Sequence, residues 1–266
     1  MAAPDRPKRR PDRRPAERRY YARAEADEGP LVLYGLHTVA AALDNPRRPV
    51  TRLLATRNAA ARLEEKLSPE AKGRLEAEIV DPKAIDRLLP ADAVHQGVAL
   101  YVGPLEPVDL DELAEARLLI ALDQVTDPHN VGAIMRSAVA LGAGGLVTTS
   151  RHAARESGVL AKAASGAADL LPHATVTNLA RALAELRKMG FTVVGLDSAA
   201  AHDLDDVPVG ERAVLVLGSE GKGVRPGVQA ETDAMARLEV PGPLASLNVS
   251  NAAAIALYVV GRRLAG

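Results

Sequence analysis

From Leu31 onward the chain alternates short apolar runs with segments whose apolar positions recur at helical spacing. Leu31–Tyr34, Val50–Ala55, Glu76–Val80 and Gly97–Val102 are expected as strands. The segments His37–Leu43, Ala59–Leu67 and Pro82–Leu89 are expected as helices between them. Short strands alternating with helices predict a small α/β layer domain. Pro104 and Pro107 mark a linker over residues 105–116. A second α/β unit starts near Arg117, with strands over Leu118–Leu122, Gly145–Thr149, Phe191–Leu196, Ala213–Leu217 and, more weakly, Ala234–Val240. Several of these runs are apolar without alternation, the pattern of strands buried on both faces of a parallel sheet. Helices are expected over Val131–Leu141, Ser157–Ala168, Leu179–Met189 and Asn251–Leu264, with Asn130 capping the first and Ser250 the last.

Composition narrows the chemistry. Cysteine is absent from the 266 residues, which removes disulfides, thiol nucleophiles and cysteine-based zinc sites, and suits a reducing cytoplasm. No apolar run is long enough to cross a membrane, and the start has no secretory core, so a cytoplasmic protein with no membrane partner is expected. Residues 1–29 carry nine Lys/Arg against six Asp/Glu with many prolines, which reads as a disordered basic tail, either an arm for nucleic acid or a solvated extension. The remainder holds 24 basic and 28 acidic residues, so charge alone does not point to a polyanion. With one Phe, five Tyr and no Trp, base stacking on aromatics is not the means of any RNA recognition.

Three polar segments each follow an apolar strand, where ligands bind in open α/β sheets. The first runs from Asp127 through His129 and Asn130 to Arg136, an arginine inside a helix of small apolar residues, which is either functional or paired with a carboxylate in the fold. The second, Leu217-Gly-Ser-Glu-Gly-Lys-Gly223, has the glycines for a close backbone approach but not the ending of a Walker phosphate loop. Glu220 within it could accept from a ribose, or be a solvated turn residue. The third, Ser246-Leu-Asn-Val-Ser250, crowds polar residues at the entry to the last helix.

Together, in this order and spacing, the segments Asn130-Val-Gly-Ala-Ile-Met-Arg136, Leu217–Gly223 and Ser246–Ser250 resemble the signature of SPOUT-class methyltransferases, specifically the TrmH-type RNA ribose 2'-O-methyltransferases. Tyr34-Gly-Leu-His-Thr-Val39 and His95-Gln-Gly97 resemble the L30e-type substrate-binding domain of the branch that methylates 23S ribosomal RNA. The resemblance implies an α/β fold with two parts: a small L30e-like RNA-binding domain over 30–104, and a parallel-sheet SPOUT domain over 117–266 ending in a trefoil knot. It implies a homodimer, S-adenosylmethionine as methyl donor, and no metal. The substrate it implies is a guanosine of 23S rRNA, with a tRNA guanosine or an rRNA adenosine as the alternatives within the family and a non-catalytic RNA-binding protein of ribosome assembly as the alternative of another class. It assigns catalytic positions to Arg136, Asn130, Glu220, Ser246 and Asn248, and donor contacts to Gly218, Val240 and Leu247. His37 and His95 become candidates for RNA contact, beside the plainer reading as structural histidines. The stretch Pro241–Ser246 is a couple of residues shorter than the family pattern.

Overall fold

The computed structural model describes residues 31–243 and 246–266. The tail over 1–29 and part of the 241–246 loop lie outside the described residues.

The first unit is a four-stranded sheet in the order β1-β4-β2-β3, from β1 (Leu31–Tyr34), β2 (Val50–Ala55), β3 (Ala77–Ile79) and β4 (Val98–Val102). Helices α1 (Leu36–Asp44), α2 (Arg57–Glu64) and α3 (Pro82–Asp86) connect the strands. The last two helices are shorter than their apolar pattern predicts. In α2 the helix stops at Glu64, while Leu67 packs beneath it as a satellite of the core.

The second unit is a seven-stranded, wholly parallel sheet in the order β7-β6-β5-β10-β8-β11-β9. Its strands are β5 (Leu118–Asp123), β6 (Gly145–Thr149), β7 (His173–Val176), β8 (Thr192–Leu196), β9 (His202–Asp203), β10 (Ala213–Gly218) and β11 (Ala234–Arg237). β5 is buried along its whole length and β10 up to its last residue, as their unbroken apolar runs require. One face is covered by α4 (Pro128–Ala140), α5 (Gly158–Ala164), α6 (Ala167–Leu170) and α9 (Val249–Ala265). The other is covered by α7 (Leu179–Lys188), α8 (Pro226–Gln229) and a 3-10 turn at Leu110–Leu113. The stretch joining the two sheets packs on the larger one: the Val108 amide donates to the His173 carbonyl, and Leu113 is buried.

Two helix boundaries depart from expectation for local reasons. α4 starts three residues before Val131, capped by Asp127, whose carboxylate accepts from the His129 amide, with Pro128 at the first helical position. The expected helix over Ser157–Ala168 is broken in two at Ser165 (φ 52°) and Gly166 (φ 96°). A Cβ at Gly166 would lie 2.9 Å from Ala41 Cβ and 3.1 Å from the His37 carbonyl, so the break is where α1 of the first unit presses in.

The two units are locked by charge. Arg48, fully buried, donates from Nε to Asp169 at 2.7 Å and from Nη1 to the Gly103 carbonyl, and pairs with Glu156. Burial alone would lower the Arg48 pKa, but the carboxylates of Glu156 and Asp169 outweigh it and hold the guanidinium firmly charged. No described helix is long and apolar enough to cross a membrane.

Candidate active site

β5, β8, β10 and β11 end on the same edge of the sheet, and the strand order switches between β5 and its sequence-distant neighbour β10. Such a switch point opens a crevice beyond the strand ends. A cavity of about 550 Å³ lies beside it, beyond the ends of β10, β8 and β11, walled by Leu196, Asp197, Leu217, the glycine loop, Leu238, Val240 and the segment Ser246–Val249. That volume is in the range of small-molecule sites.

The glycine loop reaches this position because its backbone folds against itself. The Ser219 carbonyl accepts from the Gly223 amide at 2.9 Å. A Cβ on Gly218 would lie 1.9 Å from the carbonyl carbon of Gly223, so no other residue fits there. Gly221 and Gly223 have φ of 78° and 63°, the left-handed region that favours glycine. The loop thereby exposes Glu220 at the mouth of the cavity.

Glu220 gathers two amides from elements far away in sequence. Asn130 in the first turn of α4 donates from Nδ2 to Glu220 Oε1 at 3.1 Å. Asn248 donates from Nδ2 to the same oxygen at 2.9 Å and to Asn130 Oδ1 at 3.1 Å. The other end of the Asn248 amide is also used, since its Oδ1 accepts from the backbone amide and hydroxyl of Ser250. Asn248, not Ser250, is therefore the N-cap of α9, and Asp127, not Asn130, caps α4. Both asparagines keep their Nδ2 groups for the network.

Gly218, Val240, Ser246 and Leu247 line the cavity with Glu220 and Asn248. Arg136 does not. It is exposed on the outer side of α4 and makes no hydrogen bond or ion pair among the described residues, so the reading of it as an arginine paired inside the fold is excluded. The helix explains the separation: at about 100° per residue, six residues turn Arg136 roughly 120° away from the direction of Asn130. His95 is structural here, with Nδ1 accepting from the Gly97 amide and Nε2 3.0 Å from Asp86. Its neighbour Gln96 accepts the Leu36 amide and so caps the start of α1, a role the sequence reading missed. His37 is exposed. The segment Val194–Asp197 resembles the family pattern, but its place on the cavity wall, with Ser198, was missed, as was the pairing of Asp123 with Arg225 behind the glycine loop. A carboxylate at the end of an apolar strand was the available signal for Asp123 and Asp197.

The comparisons agree with this architecture. The sequence model of the SpoU rRNA Methylase family matches residues 117–258, and that for RNA 2'-O ribose methyltransferase substrate binding matches residues 32–108. A curated relative, the 23S rRNA (guanosine-2'-O-)-methyltransferase RlmB of Pseudomonas aeruginosa, is 36% identical over 239 residues, covering 87% of this chain and 96% of that protein. An uncharacterized tRNA/rRNA methyltransferase of Mycobacterium ulcerans is 36% identical over 256 residues, covering 93% of this chain and 82% of the other. Among solved structures, the SpoU methyltransferase AviRb from Streptomyces viridochromogenes in complex with AdoMet superposes with a TM-score of 0.72 at 25% identity, covering 94% of this chain and 98% of that one. With both parts of the chain matched, and the glycine loop and polar segments gathered at one crevice, the protein belongs to the SpoU rRNA methylase family.

Proposed function

We propose that this protein transfers the methyl group of S-adenosylmethionine to the ribose 2'-hydroxyl of a guanosine in 23S ribosomal RNA, acting as a cytoplasmic homodimer. The observation that carries the reading is the closure of Asn130, Glu220 and Asn248 into one network at the mouth of the cavity. The cavity suits an adenosyl donor: Leu196, Leu217, Val240 and Leu247 offer apolar surface, the glycine loop offers backbone groups, and Asp197 and Ser198 offer polar ones. Gly218, Val240 and Leu247 are assigned to donor contact. The donor supplies a methyl group already activated by its sulfonium.

What remains for the chain is alignment of the nucleophile and help with its proton. Glu220, held by two amide donors, stays oriented at the cavity mouth, and Ser246 lines the same cavity. A guanidinium such as that of Arg136 is a poor base, because it does not give up its proton in proteins. Its planar fork suits a bidentate grip on a phosphate flanking the target ribose. Its exposed position fits a site completed between subunits. Ile255 and Tyr258, 44% and 52% exposed, stand on the outer side of α9, which packs beside α4. A second copy seated on this surface would cover them and bring Arg136 to the junction. The trefoil knot is assigned to the C-terminal part of this domain, between the glycine loop and α9. Residues 30–104 are assigned to RNA docking, with His37 exposed.

The test is methyl transfer from labelled S-adenosylmethionine to unmodified 23S rRNA and, in parallel, to bulk tRNA, followed by nucleoside analysis. 2'-O-Methylguanosine from 23S rRNA alone is expected. Label in tRNA, or in an adenosine of the rRNA, would reassign the substrate, and donor binding without transfer to either RNA would contradict the reading.

A further inference from the structure

Both ends of the glycine loop are tied to one buried residue. Gly218, where the loop leaves β10, is the ladder partner of Asp123 at the end of β5. Arg225, where the loop re-enters the fold, grips the Asp123 carboxylate three times. Its backbone amide donates to Oδ2 at 2.8 Å, Nε donates to Oδ1 at 2.8 Å, and Nη2 lies 2.6 Å from Oδ1. Asp123 is fully buried, while the Arg225 side chain is 47% exposed. Between these anchors sit Ser219 to Val224, and with them Glu220.

A carboxylate is an unusual group to bury, and doing so is costly unless its oxygens are satisfied. Here the charge satisfies one specific job. It fixes the exit of a glycine-rich loop whose own backbone has little conformational preference. Without the grip, Gly221 and Gly223 would let Glu220 leave Asn130 and Asn248. The fork of Arg225 matters more than its charge, because Nε and Nη2 act together on one oxygen, which a lysine cannot reproduce.

We infer that Asp123 and Arg225 are positioning residues for methyl transfer, acting through the glycine loop to hold Glu220 in the Asn130–Asn248 network. The inference rests on the function proposed above and adds residues outside the cavity to it. Neither residue touches the cavity, so their effect is on rate through Glu220 and not on a contact of their own.

The test uses full-length Arg225→Lys, Glu220→Ala and the double variant. Arg225 is half exposed and its backbone amide still reaches Asp123, so Arg225→Lys is expected to fold with a near-normal melting temperature; Asp123→Asn, which keeps the shape, is the second probe. Single-turnover transfer by Arg225→Lys should fall by about tenfold or more, and the double variant should be no slower than Glu220→Ala alone, the mark of two residues acting as one unit. Hydrogen exchange at the amides of 220–223 should speed up in Arg225→Lys while that of α4 stays unchanged. An unaltered rate in both Arg225→Lys and Asp123→Asn, additive losses in the double variant, or unchanged exchange in the loop would overturn the inference. A loosened loop with full transfer rate sinks this role and leaves the functional reading intact. A wild type that binds donor yet methylates no RNA sinks the functional reading itself.

Discussion

Asn248 donates to Glu220 at 2.9 Å across the mouth of the crevice, while the opposite end of the same amide caps the C-terminal helix. One side chain thus couples the start of α9 to the glycine loop. The two jobs use different atoms, Nδ2 for the network and Oδ1 for the cap, so substitution can separate them.

Asn248→Ser keeps an oxygen able to cap α9 but removes the donor to Glu220. It should leave thermal stability close to that of the parent and lower the transfer rate by about tenfold or more, through lost alignment. Asn248→Ala removes both and should also cost about 1 kcal/mol of stability. Thermal melts alongside single-turnover rates check both. Equal rates for Ser and Asn at this position would show that the network is not used in transfer.

The lock between the two units predicts a different phenotype. Arg48→Met would leave Asp169, whose side chain is 1% exposed, as an uncompensated buried carboxylate. Breaking one partner of such a pair costs about 3–5 kcal/mol. Denaturant unfolding should show that loss, and Arg48→Met/Asp169→Leu should recover part of it by removing the stranded charge.

His173 gives a pH signature. Burial of its ring beside Thr148 pushes its pKa down from 6.5 to about 4. The folded state therefore holds it neutral where the unfolded chain takes up a proton. Stability contributed in this way is full above pH 6.5 and is lost as the pH falls from 6.5 towards about 4. The loss is on the order of 3 kcal/mol. Melting curves across that window should slope more steeply for the parent than for His173→Gln; identical slopes would contradict the assignment.

How far the sequence reached depended on the range of the interaction. β1, β2 and β6 lie where their apolar runs place them, because strands buried on the sheet are written in local hydrophobicity. Glu220 and Asn248 were assigned through the resemblance of their segments to a family signature, and the fold brings both to one cavity. The departures come from partners far along the chain. The break at Ser165–Gly166 answers to α1, more than a hundred residues earlier, and Asp123 finds Arg225 across 102 positions. Neither has a local signature. The N-caps went astray for a subtler reason: Asp127 and Asn130, or Asn248 and Ser250, are all good caps, and only the three-way network decides which asparagines are left for other work. The position of Arg136 outside the cavity also follows from helix phase once the helix start is moved back to Pro128.

Arg136 is an exposed arginine with no partner among the described residues, free to meet the RNA. The decisive measurement is single-turnover methyl transfer by Arg136→Ala, with donor affinity measured by calorimetry on the same preparation. A fall of about a hundredfold or more in transfer, with the donor dissociation constant within a few-fold of the parent, is expected if Arg136 holds the RNA phosphate at the reacting ribose. Full turnover by Arg136→Ala would contradict the site proposed here.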